Sequence, residues 1–143
     1  MFRRVHLIAG VVGFLTILTF WIATAVSELI GSAQSVAAVK LAIPWGFLLL
    51  VPALALTGAT GFRLAGASRN PRVLRKKRRM PFIAGNGVLV LVPAALYLAL
   101  LASRGDFGDV FYAVQAVELA AGALNITLMA LNIRDGLRLA KAS

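Results

Sequence analysis

Within the stretch VQAVELAAGALNITLMALN, Val114 to Asn132, one carboxylate (Glu118) and three amides (Gln115, Asn125, Asn132) interrupt an otherwise apolar run. At 1.5 Å of rise per residue, Glu118 lies about a dozen ångströms inside the apolar segment that opens near Val110. A carboxyl group at that depth either carries a proton or is matched by a cation. Its chemistry would be to bind or relay a proton, or to hold a small polar ligand. The competing reading is structural, with hydrogen bonds that fix the register of packed helices.

Helical spacing organises these residues. At about 100° per residue, Phe111, Gln115, Glu118, Gly122, Asn125, Met129 and Asn132 share one helix face, and the opposite face is aliphatic. Glu118, Asn125 and Asn132 recur every seven residues, the spacing of a left-handed helix contact. His6, Gly10, Gly13, Ile17, Phe20, Thr24 and Ser27 form a matching stripe near the N-terminus, spaced four and three, with small residues that let backbones approach. Lys40 falls at the depth of Gln115 and Glu118, with Glu28 as a further carboxylate near it. Asn86 falls nearer Asn125 and Asn132. The candidate ligand-binding or proton-relay set is therefore Glu118, Gln115, Asn125, Lys40 and Asn86. For Lys40, snorkelling to the outer interface is the favoured reading. For the asparagines, helix-to-helix bonding is favoured.

His6 is the sole histidine. A solvated residue at a helix mouth is its ordinary role. As an axial ligand to haem b it would draw on Met80 or Met129 as the second ligand, with Arg3 and Arg4 for the propionates. No cofactor is otherwise expected. No metal cluster, phosphate-binding glycine loop or nucleophile–base pair is legible. The absence of cysteine excludes disulfides and thiolate sites.

These residues must be positioned by apolar helices. Only 14% of the chain is charged, against about a quarter in soluble domains, and the mean hydropathy is +0.88. Four apolar stretches are each long enough to cross a hydrocarbon core: about 5–30, 36–62, 81–102 and 110–133. Nothing alternates with period two, and open sheet edges cannot face lipid. The fold class is therefore all-α: a polytopic membrane protein formed by a bundle of four transmembrane helices, with residues 1–143 as a single domain. MFRRVHLIAG resembles a signal peptide, but its apolar run is about twice the usual length and reads as a retained helix. Residues 63–80 read as a basic cytoplasmic loop with a turn at Asn70–Pro71, Pro81 suits the first turn of the third helix, and Asp109 is the expected N-cap of the fourth.

Thirteen of the fifteen basic residues fall on one side, leaving Lys40 and Arg104 towards the other. The positive-inside rule then places both termini in the cytoplasm. The run from Arg72 to Arg79 lacks interleaved aromatics, so anionic lipid headgroups are its expected partner and nucleic acid is not. Arg- and Ala-rich composition with compact loops points to a bacterial inner membrane. So narrow a bundle is expected to act as a homo-oligomer or as a subunit of a larger complex. The leading functional expectation is an intramembrane polar site around Glu118. The alternatives are a b-type haem or quinone electron-transfer subunit using His6, and a structural assembly factor.

This orientation has a direct test. Reporter fusions after Ser143 and within residues 69–79 should both read cytoplasm, and one after Arg104 should read the outer side. A C-terminal fusion reading outside would demand an odd number of crossings or reversed insertion.

Overall fold

A computed structural model describes all 143 residues and contains four long helices and no strand. They are α1 (Phe2–Ile30), α2 (Ala33–Ala65), α3 (Pro71–Ser103) and α4 (Asp109–Ala142), each long and apolar enough to cross a membrane. Short connections make consecutive helices antiparallel. Both termini and the 66–70 turn therefore lie at one end, the basic end. The helices form a ring in chain order, α1 beside α2, α2 beside α3, α3 beside α4 and α4 beside α1. The diagonal pairs, α1 with α3 and α2 with α4, have no Cα atoms within 8 Å of each other.

The outside of the ring is apolar. Trp45, Leu48, Leu89 and Phe82 are each more than two-thirds exposed, and leucines and valines continue the surface along all four helices. A patch of that extent is a surface for lipid or protein, not for water.

Along α4 the interior alternates between apolar and polar layers. Phe111 packs with Val36, Leu98, Leu101 and Ala102 at the end opposite the basic one. Met129 packs with Ile17, Leu50 and Ile83 further toward the basic end. Gln115, Glu118 and Asn125 are buried between these clusters, and Asn132 and Asp135 lie beyond the second.

Several boundaries differ from the sequence expectation. The basic run is not a loop, because α3 begins at Pro71, ten residues before Pro81. Asn70 caps this start, its side-chain oxygen accepting the Arg72 N–H at 3.0 Å, and Pro71 occupies the first turn where its missing N–H costs nothing. Arginine and lysine are good helix formers, so the charge run extends the helix instead of breaking it. Pro81 is accordingly inside α3, not at its start. At the other end Gly108, not Asp109, is the N-cap of α4, because Asp106 Oδ1 accepts the Gly108 N–H and turns the chain one residue earlier. Finally, α4 runs on past Ile133 to Ala142, a prolongation that the pattern IRDGLRLAKAS allows, and α2 extends from Ala33 to Ala65, slightly beyond its expected 36–62.

Within α3 the α-helical segments Pro71–Asn86 and Val92–Ser103 are joined by a π-helical turn, Gly87–Leu91. The cause is Pro93, which has no N–H to offer the Leu89 carbonyl and whose ring would crowd it. Widening the turn relieves the clash, with the Val92 N–H reaching the Gly87 carbonyl.

Two glycines permit close crossings with α1. A Cβ at Gly46 would overlap the Phe20 ring. A Cβ at Gly122 would stand 2.8 Å from Trp21 Cδ1, in the place where the indole lies to donate to the Leu119 carbonyl at 2.8 Å. Gly122→Val should therefore displace Trp21 and cost about 1–3 kcal/mol through overpacking. In a Trp45→Phe background Trp21 is the only indole, so its emission should shift to the red as the melting temperature falls. Unchanged emission and stability would contradict this packing.

Candidate functional site

The outermost polar layer is built around Lys40 and Glu118. Lys40 Nζ donates to Glu118 Oε1 at 2.6 Å and lies 3.4 Å from Thr24 Oγ1, so the layer ties α2, α4 and α1 together. Lys40 and Glu118 sit on diagonal helices, which only a long side chain can connect across the ring. Lys40 is 0% exposed. It does not snorkel, which corrects the favoured sequence reading: its stem crosses the interior because a carboxylate waits on the far helix.

This layer is unusual for the polar atoms it leaves open. Glu118 Oε2, both amide atoms of Gln115 and Glu28 Oε1 are buried without a hydrogen-bond partner. Gln115 is one turn from Glu118 on the same face of α4, and Glu28 is one turn from Thr24 on α1. The Glu28 carboxylate is close enough for its charge to act on Lys40. The layer thus holds one cation, two carboxylates, three open acceptor atoms and one open donor. Toward the basic end it meets a cavity of about 50 Å³, walled by Ile17, Phe20, Trp21, Leu50 and Leu91, with Thr24 and Glu118 on its rim. A space of that size admits one or two waters.

The second layer lies about 10 Å along α4, seven residues on. Asn86 Nδ2 donates to Asn125 Oδ1 at 2.9 Å and to the Ala121 carbonyl at 2.8 Å. Asn125 Nδ2 donates in turn to the Ile83 carbonyl at 3.2 Å. These bonds join α3 to α4, the role favoured for the asparagines. The candidate set thus divides: Lys40, Glu118 and Gln115 share one layer, and Asn86 and Asn125 form another.

A third layer, at the basic end, centres on Asp135, which lies outside the candidate set drawn from the sequence. Asp135 is fully buried. Arg79 Nη1 donates to Asp135 Oδ2 at 2.9 Å and to Asn132 Oδ1 at 3.2 Å. Arg75 and Arg134 approach the same carboxylate at 3.7 and 3.5 Å. Burial alone would push the Asp135 pKa up, but the Arg79 hydrogen bond, with the charges of Arg79, Arg75 and Arg134, holds it below its ordinary value. Neighbouring Lys76 is lowered from its ordinary value by burial, only partly offset by Asp135. Two signals pointed to Asp135: it continues the polar face three residues after Asn132, and it is the only acid at the basic end.

His6 Nδ1 lies 3.1 Å from both the Thr57 carbonyl and Thr60 Oγ1. Because that carbonyl only accepts, Nδ1 is the protonated nitrogen. The companions named for a haem site differ in their surroundings. Met80 Sδ accepts from Asn132 Nδ2 at 3.7 Å, Met129 is in the aliphatic core, and Arg3 and Arg4 are exposed at the helix mouth.

The energetics of the Lys40–Glu118 pair follow from its burial. Removing one member leaves the other charged and unmatched, at a cost of about 3–5 kcal/mol, whereas replacing both with apolar groups is often neutral. Lys40→Met and Glu118→Leu should each lower resistance to denaturing detergent. The double variant should recover most of the loss. Strictly additive losses would show that the two side chains do not interact.

Compared with known protein families, curated proteins and solved structures, the chain finds no match.

Proposed function

We propose that this chain is a small multi-pass membrane protein whose interior site, Lys40–Glu118 with Gln115 and Glu28, takes up and passes a proton. The observation that carries the reading is the contrast between two polar layers of one molecule. The Asn86–Asn125 layer is bonded to the neighbouring backbone, as helix glue should be. The Lys40–Glu118 layer is buried equally well yet leaves Glu118 Oε2, Gln115 and Glu28 Oε1 open. Buried groups without partners are costly, and they collect where something binds.

The charge balance favours a proton as the guest. With Lys40 protonated and both carboxylates ionised the layer has one negative charge in excess. A proton entering by Glu28 and settling on Glu118 Oε2 neutralises it, while Oε1 keeps its bond to Lys40. Gln115, with a donor and an acceptor one turn away, suits the orientation of a water between the two carboxyls. Onward movement to the asparagine layer crosses the small apolar cavity and requires transient water there. The positive-inside distribution supports an orientation with Glu28 at the outer mouth and the Asp135 layer on the cytoplasmic side, and the Arg- and Ala-rich composition supports a bacterial inner membrane. Four helices leave little room for a pore, so net transport would draw on a homo-oligomer or a larger assembly.

The reading in which every polar side chain only fixes helix register accounts for the asparagine layer and for Asp135, whose Oδ1 lacks a hydrogen bond but has the Arg134 guanidinium at 3.5 Å. It leaves the open atoms around Glu118 without a purpose. Infrared difference spectra of lipid-reconstituted protein separate the two. Acidification should produce the carbonyl stretch of a newly protonated buried carboxyl. Glu118→Gln, which preserves shape and helix content, should abolish that band. No such band anywhere between about pH 4 and pH 9, a window bracketing ordinary carboxyl and histidine titration, would overturn the proposal.

A further inference from the structure

The basic end of α4 carries a second feature that the proton site does not use. Ala130, Ile133, Arg134, Leu137, Arg138 and Lys141 line a surface groove of about 350 Å³. Their spacing of three and one puts them on a single stripe, turned away from the buried face that holds Asp135. The stripe changes character along its length. Ala130 and Ile133 are aliphatic and close the apolar span, and beyond it Arg134, Arg138 and Lys141 bring three cations interleaved with Leu137.

The positive charge here is organised as well as abundant. Asp135 gives one negative charge to three guanidiniums, those of Arg75, Arg79 and Arg134, and its hydrogen bond goes to Arg79. Arg134 is steadied by Asp135 at 3.5 Å, yet its side chain is 48% exposed and keeps donors free toward the groove. Arg138 and Lys141 make no ion pair. An aliphatic wall leading to three cations at the limit of the apolar span has the chemistry of a phospholipid, with acyl chain below and phosphate above.

We propose that this groove is a binding site for one anionic phospholipid, its phosphate held by Arg134, Arg138 and Lys141 and the start of an acyl chain lying along Ala130, Ile133 and Leu137. Diffuse adhesion of the Arg72–Arg79 run to headgroups is a separate effect, on α3 instead of α4. The site depends on the membrane reading of the chain but not on the proton chemistry of Glu118.

The test uses the full chain in nanodiscs of mixed phosphatidylglycerol and phosphatidylcholine. Native mass spectrometry after detergent extraction counts the lipid that stays bound. The wild-type chain should retain phosphatidylglycerol in preference. Arg134→Gln/Arg138→Gln/Lys141→Gln should reduce that preference about tenfold or more, and Arg69→Gln/Arg72→Gln/Arg78→Gln, which removes the same charge from α3 and the turn before it, by about twofold at most. Because Arg134 also steadies Asp135, Arg138→Gln/Lys141→Gln provides a variant with that contact intact, and it should lose about half of the effect on a logarithmic scale. Equal losses in the two triple variants would mean diffuse adhesion and overturn the site. So would full retention by the double variant, or displacement of the lipid by inorganic phosphate alone.

Discussion

Everything else in the bundle is arranged around one charge pair that crosses it. Lys40 and Glu118 stand on helices whose backbones do not come close, so their 2.6 Å contact is a polar brace that crosses the ring corner to corner. In a low-dielectric interior two such charges are held together, since leaving either alone costs about 3–5 kcal/mol. That requirement sets the rotation of α2 and α4 about their axes and so decides which faces look outward. Thr24 adds α1 to the same junction. Only α3 is left to be fastened elsewhere, and the two lower layers do this, through Asn86 to Asn125 and through Arg79 to Asp135.

The interior face of α4 was legible because burial of polar groups and helical period give the same answer. Gln115, Glu118, Gly122, Asn125 and Met129 are all buried, as the seven-residue pattern implied. The destination of Lys40 was not legible. Depth along a helix is readable from sequence, but the direction of a flexible four-carbon stem depends on what stands across the bundle. The basic run was misread for a different reason. Its composition resembles a solvated loop, whereas its helix propensity and the Asn70–Pro71 cap favour an extended helix. The cap was visible in the letters and was taken only for a turn. Asp135 follows from the same error, since a carboxylate gains a partner there only if the arginines of α3 continue as a helix alongside it.

The irregular turn in α3 is placed where these constraints meet. Pro93 forces the π-helical turn Gly87–Leu91 immediately after Asn86, and Leu91 from that turn walls the cavity next to Glu118. A regular α-helix would rotate the residues on its two sides differently and could not offer both Asn86 to α4 and Leu98 to the apolar cluster around Phe111. The widened turn therefore sets the phase between the halves of α3. It also leaves the small space that separates the charged layer from the asparagines.

The three polar layers differ in how they are satisfied, and the difference follows their position. At the basic end, Asp135 is surrounded by more cations than it can neutralise, and the excess faces outward where anions can approach. In the middle, two amides bond to each other and to backbone carbonyls, carry no charge and need no guest. Near the opposite end, two carboxylates outnumber one lysine and leave acceptors open inside the bundle. A structure held together by polar glue alone would satisfy each layer in the same neutral way. This one has a positive excess at one end and a negative excess at the other, separated by a neutral layer and an apolar gap. Such a gradient is the basis of the two proposed guests, an anion at the surface of α4 and a proton at Glu118. The neutral asparagine layer and the small apolar cavity beside Glu118 stand between the two ends.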